Sequence, residues 1–345
     1  MTTAKIKKLA RALGADAVGI GSIERWEGAP VQMDPRQIMP EARSVIAMAF
    51  RVMRGSLRGI EEGTYFSNYS AMGYGGITYL YMPMTVINLA KAIEDQGYEA
   101  VPMGHQSDWR AIDGEGRLPE PHSRAARPGQ AVPDVMIHLR IAAFLCGLGE
   151  IGYSKMLLTP QFGPRQRVGI IITDMPLEPD PLYPDTAGPK LCNRCLACVR
   201  ACPGQAISPT QTVRVTLAGH EVEWGEINCQ ACDIAFRGGQ ATPQPLSEAA
   251  TYMPPLYGQN VTQAPWTPFL KKPRNLYNTG QAVCGARGCT RACMIALEAR
   301  GVLQNVFKQP FRRRPQWSVD WSDLHATGGQ APAASAPGSE SKPAD

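Results

Sequence analysis

The chain has 345 residues and a formal net charge of +5, and 44% of its residues are hydrophobic. This composition is typical of a globular protein with one large or two fused domains, and so mild a charge does not by itself indicate a nucleic-acid partner. No apolar run approaches the roughly 20 residues of a membrane helix. The first residues contain neither a signal-peptide apolar region nor twin arginines, so we expect a cytoplasmic protein. Its 10 cysteines then indicate metal or redox chemistry rather than a disulfide framework.

Predicted helices and strands alternate in the first half of the chain. The apolar period predicts a helix over residues 3–13, and continuous apolar runs predict buried strands at 17–21, 44–50 and 167–174. A second helix is expected from Pro83 to Gly97. A long loop over 104–133 and a further helical period over 134–146 follow. Such alternation predicts an α/β or mixed α+β fold for residues 1–180.

The chain changes character after about Leu191 and stays rich in cysteines and turns through Arg300. Alternation on both sides of an Ala-Gly-His turn predicts a hairpin over residues 212–225. We interpret Arg312, Arg313 and Arg314 as a solvated charge run. The low-complexity residues 326–345 are predicted to be disordered.

Four cysteines have a spacing that is specific for iron–sulfur clusters. Cys192, Cys195, Cys198 and Cys202 form C-x2-C-x2-C-x3-C, and Pro203 follows. Three thiolates two residues apart can wrap one face of a cubane, and the fourth ligates a second cluster in two-cluster ferredoxins. Zinc is the alternative, but structural zinc sites usually take cysteine pairs that a longer loop separates. The spacing therefore predicts two 4Fe-4S clusters.

Two clusters need four further thiolates, and the chain has candidates downstream. One cluster is predicted to take Cys293 together with the first three cysteines of the motif. The other is predicted to take Cys202, Cys284, Cys289 and either Cys229 or Cys232. We interpret the unused one of the last pair, and Cys146 in an apolar helix, as core or spare thiols. Enough residues precede the motif for a second cofactor, which the spacing does not identify.

Three stretches together resemble the cobalamin-dependent iron–sulfur reductases, the family that includes reductive dehalogenases and epoxyqueuosine reductases. They are GAPVQMDPRQIMPEARSVIAMAF, GLGEIGYSKMLLTPQFGPRQRVGIIITDMPLEPD and the cysteine motif. The resemblance implies an α+β architecture, in which a nitroreductase-like α/β cobalamin-binding domain (1–180) is fused to a ferredoxin-like two-cluster domain (181–305). An extension over 306–325 and the disordered tail would follow.

The resemblance also implies cofactors and partners. It implies two 4Fe-4S clusters and base-off cobalamin without a protein axial ligand. It favours Cys232 as the eighth cluster ligand, because Asn228 precedes it by four residues, as an acidic or amide residue does in the family. A small organic substrate and a low-potential electron donor such as ferredoxin or flavodoxin are the expected partners. Neither a membrane nor a nucleic-acid partner is expected, and no oligomeric state is predicted.

By this resemblance we expect an oxidoreductase. Electrons would pass through the clusters to cobalt, which would reductively remove a leaving group, as in dehalogenation, while a nearby acid supplies a proton. One alternative is a non-catalytic redox partner or cobalamin-handling protein that reduces another protein's corrinoid. Another is an epoxyqueuosine reductase-like activity on tRNA. This alternative is disfavoured, because the sequence lacks the helical-repeat extension of those enzymes. The sequence also lacks the twin-arginine leader of respiratory dehalogenases and the proline that usually follows the last cysteine group, so we expect a divergent branch.

Candidate site residues follow from the same resemblance. GLGEIG fits G-x-G-x-x-G, but it follows a helical stretch rather than a strand, so it does not predict a dinucleotide site. By resemblance this turn lines the corrinoid site, and a packing turn is the alternative. The predicted cofactor-binding residues are Gly147, Leu148, Gly149, Gly152 and Tyr74. The predicted proton donors, each of which also fits a packing role, are Tyr153, Asp134, His138 and Tyr69.

Overall fold

The computed structural model describes residues 1–62, 68–105, 125–131, 135–183, 190–236, 284 and 288–312. Its strands are β1 (Ala17–Ser22), β2 (Ser44–Arg51), β3 (Ala100–Met103), β4 (Glu150–Ile151), β5 (Leu157–Leu158), β6 (Gln166–Thr173), β7 (Ile207–Leu217) and β8 (His220–Ile227). Its helices are α1 (Thr3–Ala12), α2 (Arg58–Glu62), a π-helix (Tyr69–Tyr81), α3 (Met82–Glu94), α4 (Leu139–Leu145), α5 (Ala197–Arg200), α6 (Cys229–Phe236) and α7 (Cys289–Ala299).

A four-stranded antiparallel sheet organises the first half of the chain, in the order β1-β2-β6-β3. Alternate residues of β2 point to opposite faces: Ile46 and Met48 pack with α1 and α3, whereas Val45 and Ala47 pack with α4. Because helices cover both faces, the central strands are apolar throughout. This burial explains why β2 and β6 are recognisable in the sequence as continuous apolar runs.

The predicted strands and helices of this region are confirmed, with two differences. The edge strand β3 was not predicted, because it is short and contains Pro102, a residue that edge strands tolerate. Helix α4 begins at Leu139, and His138 is its N-cap, so it is shorter than the predicted period over 134–146. The structure therefore combines helices and antiparallel strands, in agreement with the predicted mixed α+β class.

The π-helix is the least expected element of the fold. It spans 13 residues, and the N–H of Met82, its C-cap, donates to the carbonyl of Ile77, five residues earlier. Helices with this bonding are rare and are found mostly at functional sites. A search for the 3.6-residue period does not reveal such a helix. Here it presents Tyr69, Tyr74 and Thr78 towards the interior, where all three are buried.

The second half of the chain contains the cysteines. Strands β7 and β8 pair around the turn at Ala218 and Gly219, which confirms the predicted hairpin. Helix α7 begins at Cys289 and also contains Cys293. No helix in the described ranges combines the length and the apolar character that a membrane crossing needs. The predicted disordered tail lies outside the described residues.

The interpretation of Arg312 as part of a solvated charge run is wrong. Its guanidinium pairs with the carboxylate of Glu61 at 2.5 Å, and Arg291 of α7 pairs with the same carboxylate at 2.8 Å. The Glu61 side chain is 0% exposed. This buried ion cluster joins α2 to α7 and to the segment that follows it. Arg313 and Arg314 lie outside the described residues.

Candidate functional site

The cysteine motif folds as a tight loop followed by the short helix α5. Arg194 and Leu196 both adopt left-handed backbone conformations, with φ of 57° and 55°, which non-glycine residues adopt at a cost of about 1 kcal/mol each. The buried carboxylate of Glu150 accepts a hydrogen bond from the backbone N–H of Cys192. Burial raises the pKa of Glu150, and the N–H of Cys192 opposes that shift. Of the motif thiols, Cys198 is buried, Cys192 and Cys202 are partly exposed, and Cys195 is exposed.

Four of the predicted cluster cysteines line one cavity. Cys192, Cys195 and Cys198 of the motif meet Cys293 of α7 around this cavity. The other lining residues include Gly152 and the four leucines Leu158, Leu191, Leu196 and Leu297, together with Arg194 and Arg300. The backbone N–H of Tyr153 donates to the sulfur of Cys192 at 3.3 Å, an arrangement that stabilises a thiolate.

The thiols of this cavity oppose one another's ionisation. Burial raises the pKa of Cys198 to about 11, with Cys289, Cys192 and Cys195 contributing. Burial also raises the pKa of Cys293, and Cys192 and Cys198 raise it further. Thiolates that are packed this closely need cations between them, which the irons of a cluster supply. The donor set therefore fits a 4Fe-4S cluster.

A second group of cysteines lies beside the first. Burial raises the pKa of Cys232 to about 11, and the neighbouring Cys289 and Cys202 add to the shift. Burial is the largest cause of the raised pKa of Cys289, and the charge of Cys202 raises it further. The N–H of Ala206 donates to the sulfur of Cys202 at 3.4 Å.

Cys284 also belongs to the second group, and the ligands of this group are not arranged around a single ion. Cys284 and Cys289 are both close enough to Tyr69 to raise its pKa, although burial is the larger cause. Within the described ranges, no three His, Cys, Asp or Glu side chains surround a single ion. A cubane holds its thiolates on separate irons, so its ligands lie farther apart than those of one zinc ion.

A pocket of about 150 Å³ adjoins the second cysteine group, and we call it the arginine pocket. Its residues come from the π-helix, α3, α4 and β6 and from the segments around β3 and β5; they are Tyr74, Thr78, Met82, His105, Leu139, Arg140, Met156, Leu157, Gln166, Arg167 and Val168. Burial lowers the pKa of Arg140, whereas Cys289 and Cys232 raise it. Arg140 therefore links the pocket electrostatically to the second cysteine group.

Three tyrosines of the π-helix lie at or near this pocket; Tyr69 and Tyr74 are buried, whereas Tyr79 is exposed. Tyr69, Tyr74 and Tyr79 recur every five residues, which matches the i→i+5 bonding of the helix. The Tyr74 hydroxyl lies 3.2 Å from that of Tyr79 and 3.3 Å from Nε2 of His105. The guanidinium of Arg167 donates to the Tyr69 hydroxyl at 3.0 Å and stacks over the Tyr74 ring at 4.6 Å.

The predicted proton donors are spread over several places. Tyr69 lies behind Arg167, next to the second cysteine group. Tyr153 is buried beside the motif cysteines, and its hydroxyl donates to the carbonyl of Ser208 at 3.0 Å. Asp134 lies outside the described residues. His138 caps α4, where its Nδ1 accepts from the N–H of Ile141 at 3.4 Å.

His138 should make stability sensitive to acid. Burial lowers its pKa to about 4, and Arg140 and Lys155 lower it as well. From about pH 6.5 down to about 4 the unfolded chain binds the proton and the folded chain does not, so the free energy of unfolding falls as the pH falls. We expect a loss of about 2 kcal/mol between pH 7.5 and 5, at about 1.4 kcal/mol per pKa unit.

His138→Asn tests this expectation, because asparagine is also a good N-cap and does not titrate. Anaerobic urea unfolding at pH 7.5 and 5 should show a smaller loss for the variant than for the wild-type protein. Equal losses in the two proteins would mean that another group causes the acid sensitivity.

The glycines of GLGEIG are explained by close packing. A Cβ at Gly147 would lie 2.2 Å from the Pro181 carbonyl oxygen, and one at Gly149 would lie 2.0 Å from that of Leu158. Leu148 is buried in the core on the α4 face of the sheet, and Gly152 lines the cavity of the first cysteine group. Of the five predicted cofactor-binding residues, Tyr74 is the one that lines the arginine pocket.

Arg140, Arg167 and Thr78 were not singled out from the sequence. Each is an ordinary residue within a helix or strand, and no motif distinguishes it. The recurrence of tyrosine every five residues was the available signal, since it marks a helix with an unusual period. That signal would have indicated the inner face of the π-helix, where Thr78 also lies.

Comparison by sequence identifies two groups of relatives, although no family model matches the chain. The tetrachloroethene reductive dehalogenase of Desulfitobacterium hafniense is 42% identical over 74 residues, which are 21% of this chain and 13% of that protein. The epoxyqueuosine reductase of Gloeobacter violaceus is 26% identical over 246 residues, which are 64% of this chain and 66% of that protein. The match thus spans a small part of the dehalogenase and just under two thirds of the epoxyqueuosine reductase.

Solved structures from the same two groups superpose on this chain. A catabolic reductive dehalogenase has a TM-score of 0.45 at 20% identity, covering 91% of this chain and 41% of that chain. The epoxyqueuosine reductase from Streptococcus thermophilus has a TM-score of 0.42 at 18% identity, covering 85% of this chain and 80% of that chain. Both sequence relatives are reductases, and they confirm the resemblance inferred from the motifs: this chain is similar to reductive dehalogenases and epoxyqueuosine reductases.

Proposed function

We propose that this protein is a cobalamin-dependent reductase. In this proposal electrons pass through two 4Fe-4S clusters to cobalt, and a leaving group is removed reductively from a small organic substrate, as in dehalogenation. The observation that carries the proposal is the cavity lined by Cys192, Cys195, Cys198 and Cys293. Residues 1–180 would form the nitroreductase-like cobalamin-binding part, and residues 181–305 the ferredoxin-like part.

The two cysteine groups support a route for electrons. Cys289 and Cys293 are four residues apart on α7, so they lie on one face of the helix, one turn apart. In the proposed ligand sets, Cys293 serves the first cluster and Cys289 the second. One rigid helix would therefore hold both clusters at a constant separation. The pKa of Cys293 already responds to Cys289, which supports their closeness.

The arginine pocket supports a reaction site beside the second cluster. Cobalamin, when bound, would supply the low-potential redox chemistry that removes the leaving group. The pocket is open, and the charges of Cys289 and Cys232 act on Arg140 in its lining. Tyr74, Thr78 and Arg167 are the polar groups that would face the cofactor and the substrate there.

Tyr74 is the best-placed acid in this pocket. Burial raises its pKa above the ordinary range, and the hydrogen bond to Tyr79 adds to the shift. The hydroxyl therefore keeps its proton at ordinary pH values, and the charge of Arg167 opposes part of the shift. His105 lies 3.3 Å from this hydroxyl and is exposed, so it offers a path for protons from solvent.

Tyr74→Phe should lower the turnover number by at least about 100-fold, because a positioned general acid typically contributes 10²–10⁴-fold. Tyr153→Phe is the matched control, since the Tyr153 hydroxyl is bonded to Ser208 and lies outside the pocket lining. We expect that control to retain turnover within about threefold. The rates would be measured with reduced viologen on a panel of organohalides. A larger loss in Tyr153→Phe than in Tyr74→Phe would instead assign the acid to Tyr153.

Anaerobic purification with iron, sulfide and cobalt assays and EPR tests the proposal as a whole. Two cubanes correspond to about eight irons per chain, and cobalamin should bind near stoichiometrically. Fewer than about six irons would contradict the two-cluster assignment. If the protein contains about eight irons but binds no cobalamin, the proposed catalytic function is contradicted. That result would indicate a redox partner of another corrinoid protein. Tight tRNA binding with a steep salt dependence would indicate the nucleic-acid alternative.

A further inference from the structure

The arginine pocket contains two cations that no carboxylate of the described residues balances. Arg140 donates to the carbonyl of Lys155 at 3.1 Å, and Arg167 donates to the hydroxyl of Tyr69. In the part of the chain that the structure describes, neither guanidinium pairs with an acidic side chain. Two other inward-facing arginines do pair with carboxylates, Arg54 with Glu298 and Arg291 with Glu61. The buried Arg165 instead donates to the carbonyl of Val52 and to the side-chain oxygen of Asn305.

Two buried polar atoms in the pocket also lack partners among the residues that the structure describes. Within those ranges, the Oγ1 of Thr78 and the Nε of Arg167 make no hydrogen bond. Thr78 is 3% exposed and lines the pocket. A buried group without a partner is costly to keep, and a ligand, ion or water that satisfies it is one explanation for such a group. A hydroxyl and a guanidinium N–H are both donors, and an acceptor oxygen would satisfy them together.

We propose that the arginine pocket binds the oxyanion of a small organic ligand, held by Arg140, Arg167 and Thr78. A carboxylate matches the planar donor fork of a guanidinium, and the Thr78 hydroxyl adds a further donor. Tyr74, Met82 and Met156 would enclose the apolar body of the ligand. That the ligand is the substrate rests on the proposed function, whereas the anion site itself does not.

The thiolates of the second cluster are the other negative charges near Arg140. The negative charge of a cluster could compensate Arg140, but it would not give the Thr78 hydroxyl a hydrogen-bond partner. Substitution of Thr78 therefore distinguishes a bound oxyanion from the charge of the cluster. A second source of the oxyanion is the phosphate of the cobalamin tail, and the experiment separates it from a substrate.

The test measures the affinity of the anaerobically purified protein for benzoate and for its neutral counterpart benzamide by titration calorimetry. We expect benzoate to bind at least tenfold more tightly than benzamide. Thr78→Val should weaken benzoate binding about 10-fold, and Arg167→Gln at least 10-fold, with little effect on benzamide. Arg36→Gln, at a surface arginine paired with Asp34, should leave both affinities unchanged.

Thr78→Val has a second readout that does not need the ligand. Removing an unpartnered hydroxyl should leave the melting temperature of the ligand-free protein unchanged or higher. A lower melting temperature would show that the hydroxyl already has a partner, which would overturn the proposal. Equal affinities for benzoate and benzamide in the wild-type protein would overturn it as well.

The titrations are repeated with cobalamin bound. Benzoate binding that persists would support a substrate site, whereas competition by both cobalamin and inorganic phosphate would assign the oxyanion to the cofactor and overturn the assignment to a substrate. The cobalt assay tests the proposed function, and the benzoate titration tests the anion site. The two can fail independently, because the preference for benzoate is measured on protein that needs no bound cobalamin.

Discussion

Replacing Cys198 by serine is expected to lower the iron content from about eight to about four atoms per chain, since each cubane holds four. Cys198 is 8% exposed and faces the cavity that it shares with Cys192, Cys195 and Cys293. A serine hydroxyl does not ionise near neutral pH, so it is a poor replacement for a thiolate. Iron and sulfide assays and EPR of the reduced protein measure the loss.

Cys146→Ser is the matched control for this experiment. Cys146 is 0% exposed, and its thiol donates to the carbonyl of Val45 at 3.3 Å in the core on the α4 face of the sheet. Burial raises its pKa to about 12, so it stays a neutral core thiol, as the sequence predicted. The variant should keep about eight irons. Loss of iron in Cys146→Ser, or none in Cys198→Ser, would contradict the assignment.

The same assay decides between Cys229 and Cys232. The charges of Cys202 and Cys289 act on Cys232, and the sulfur of Cys229 lies 3.7 Å from the carbonyl of Ile227. We therefore expect Cys232→Ser to lose iron from the second cluster and Cys229→Ser to retain it. The reverse result would exchange their roles.

Glu61→Gln is expected to destabilise the protein by about 3 kcal/mol or more. The change keeps the size of the side chain but leaves Arg291 and Arg312 facing a neutral amide in a buried site. Breaking a buried ion pair from one side typically costs about 3–5 kcal/mol, because the remaining charge is left without compensation. Anaerobic urea unfolding of the cluster-loaded protein measures the difference in unfolding free energy.

Glu27→Gln provides the comparison, because it makes the same change in an ion pair on the surface. The Glu27 side chain is 82% exposed and lies 3.3 Å from Arg36, and such pairs contribute less than about 1 kcal/mol. Arg291 lies between Cys289 and Cys293 on α7, so Glu61→Gln should also lower the iron content. Similar stabilities for the two variants would show that the buried ion cluster does not anchor α7.

Much of the fold could be predicted from local pattern. The buried strands β2 and β6 are continuous apolar runs, and α1 and α3 follow the 3.6-residue period, because each signal arises within a few neighbouring residues. The π-helix escaped prediction because its period differs, and β3 escaped because it is short and contains Pro102. The role of Arg312 escaped because its partner, Glu61, lies far away in the sequence.

The sequence by itself determined the chemistry of the cysteine motif. Its spacing within eleven residues restricts how the four thiols can converge, so short-range geometry alone predicts a cluster. The sequence also identified Cys284, Cys289 and Cys293 as further candidates. The tertiary structure decided what no local pattern encodes: which thiols share a cavity, and that Arg140, Arg167 and Thr78 meet in one pocket beside them. These groups come from separate helices and strands, and long-range packing alone brings them together.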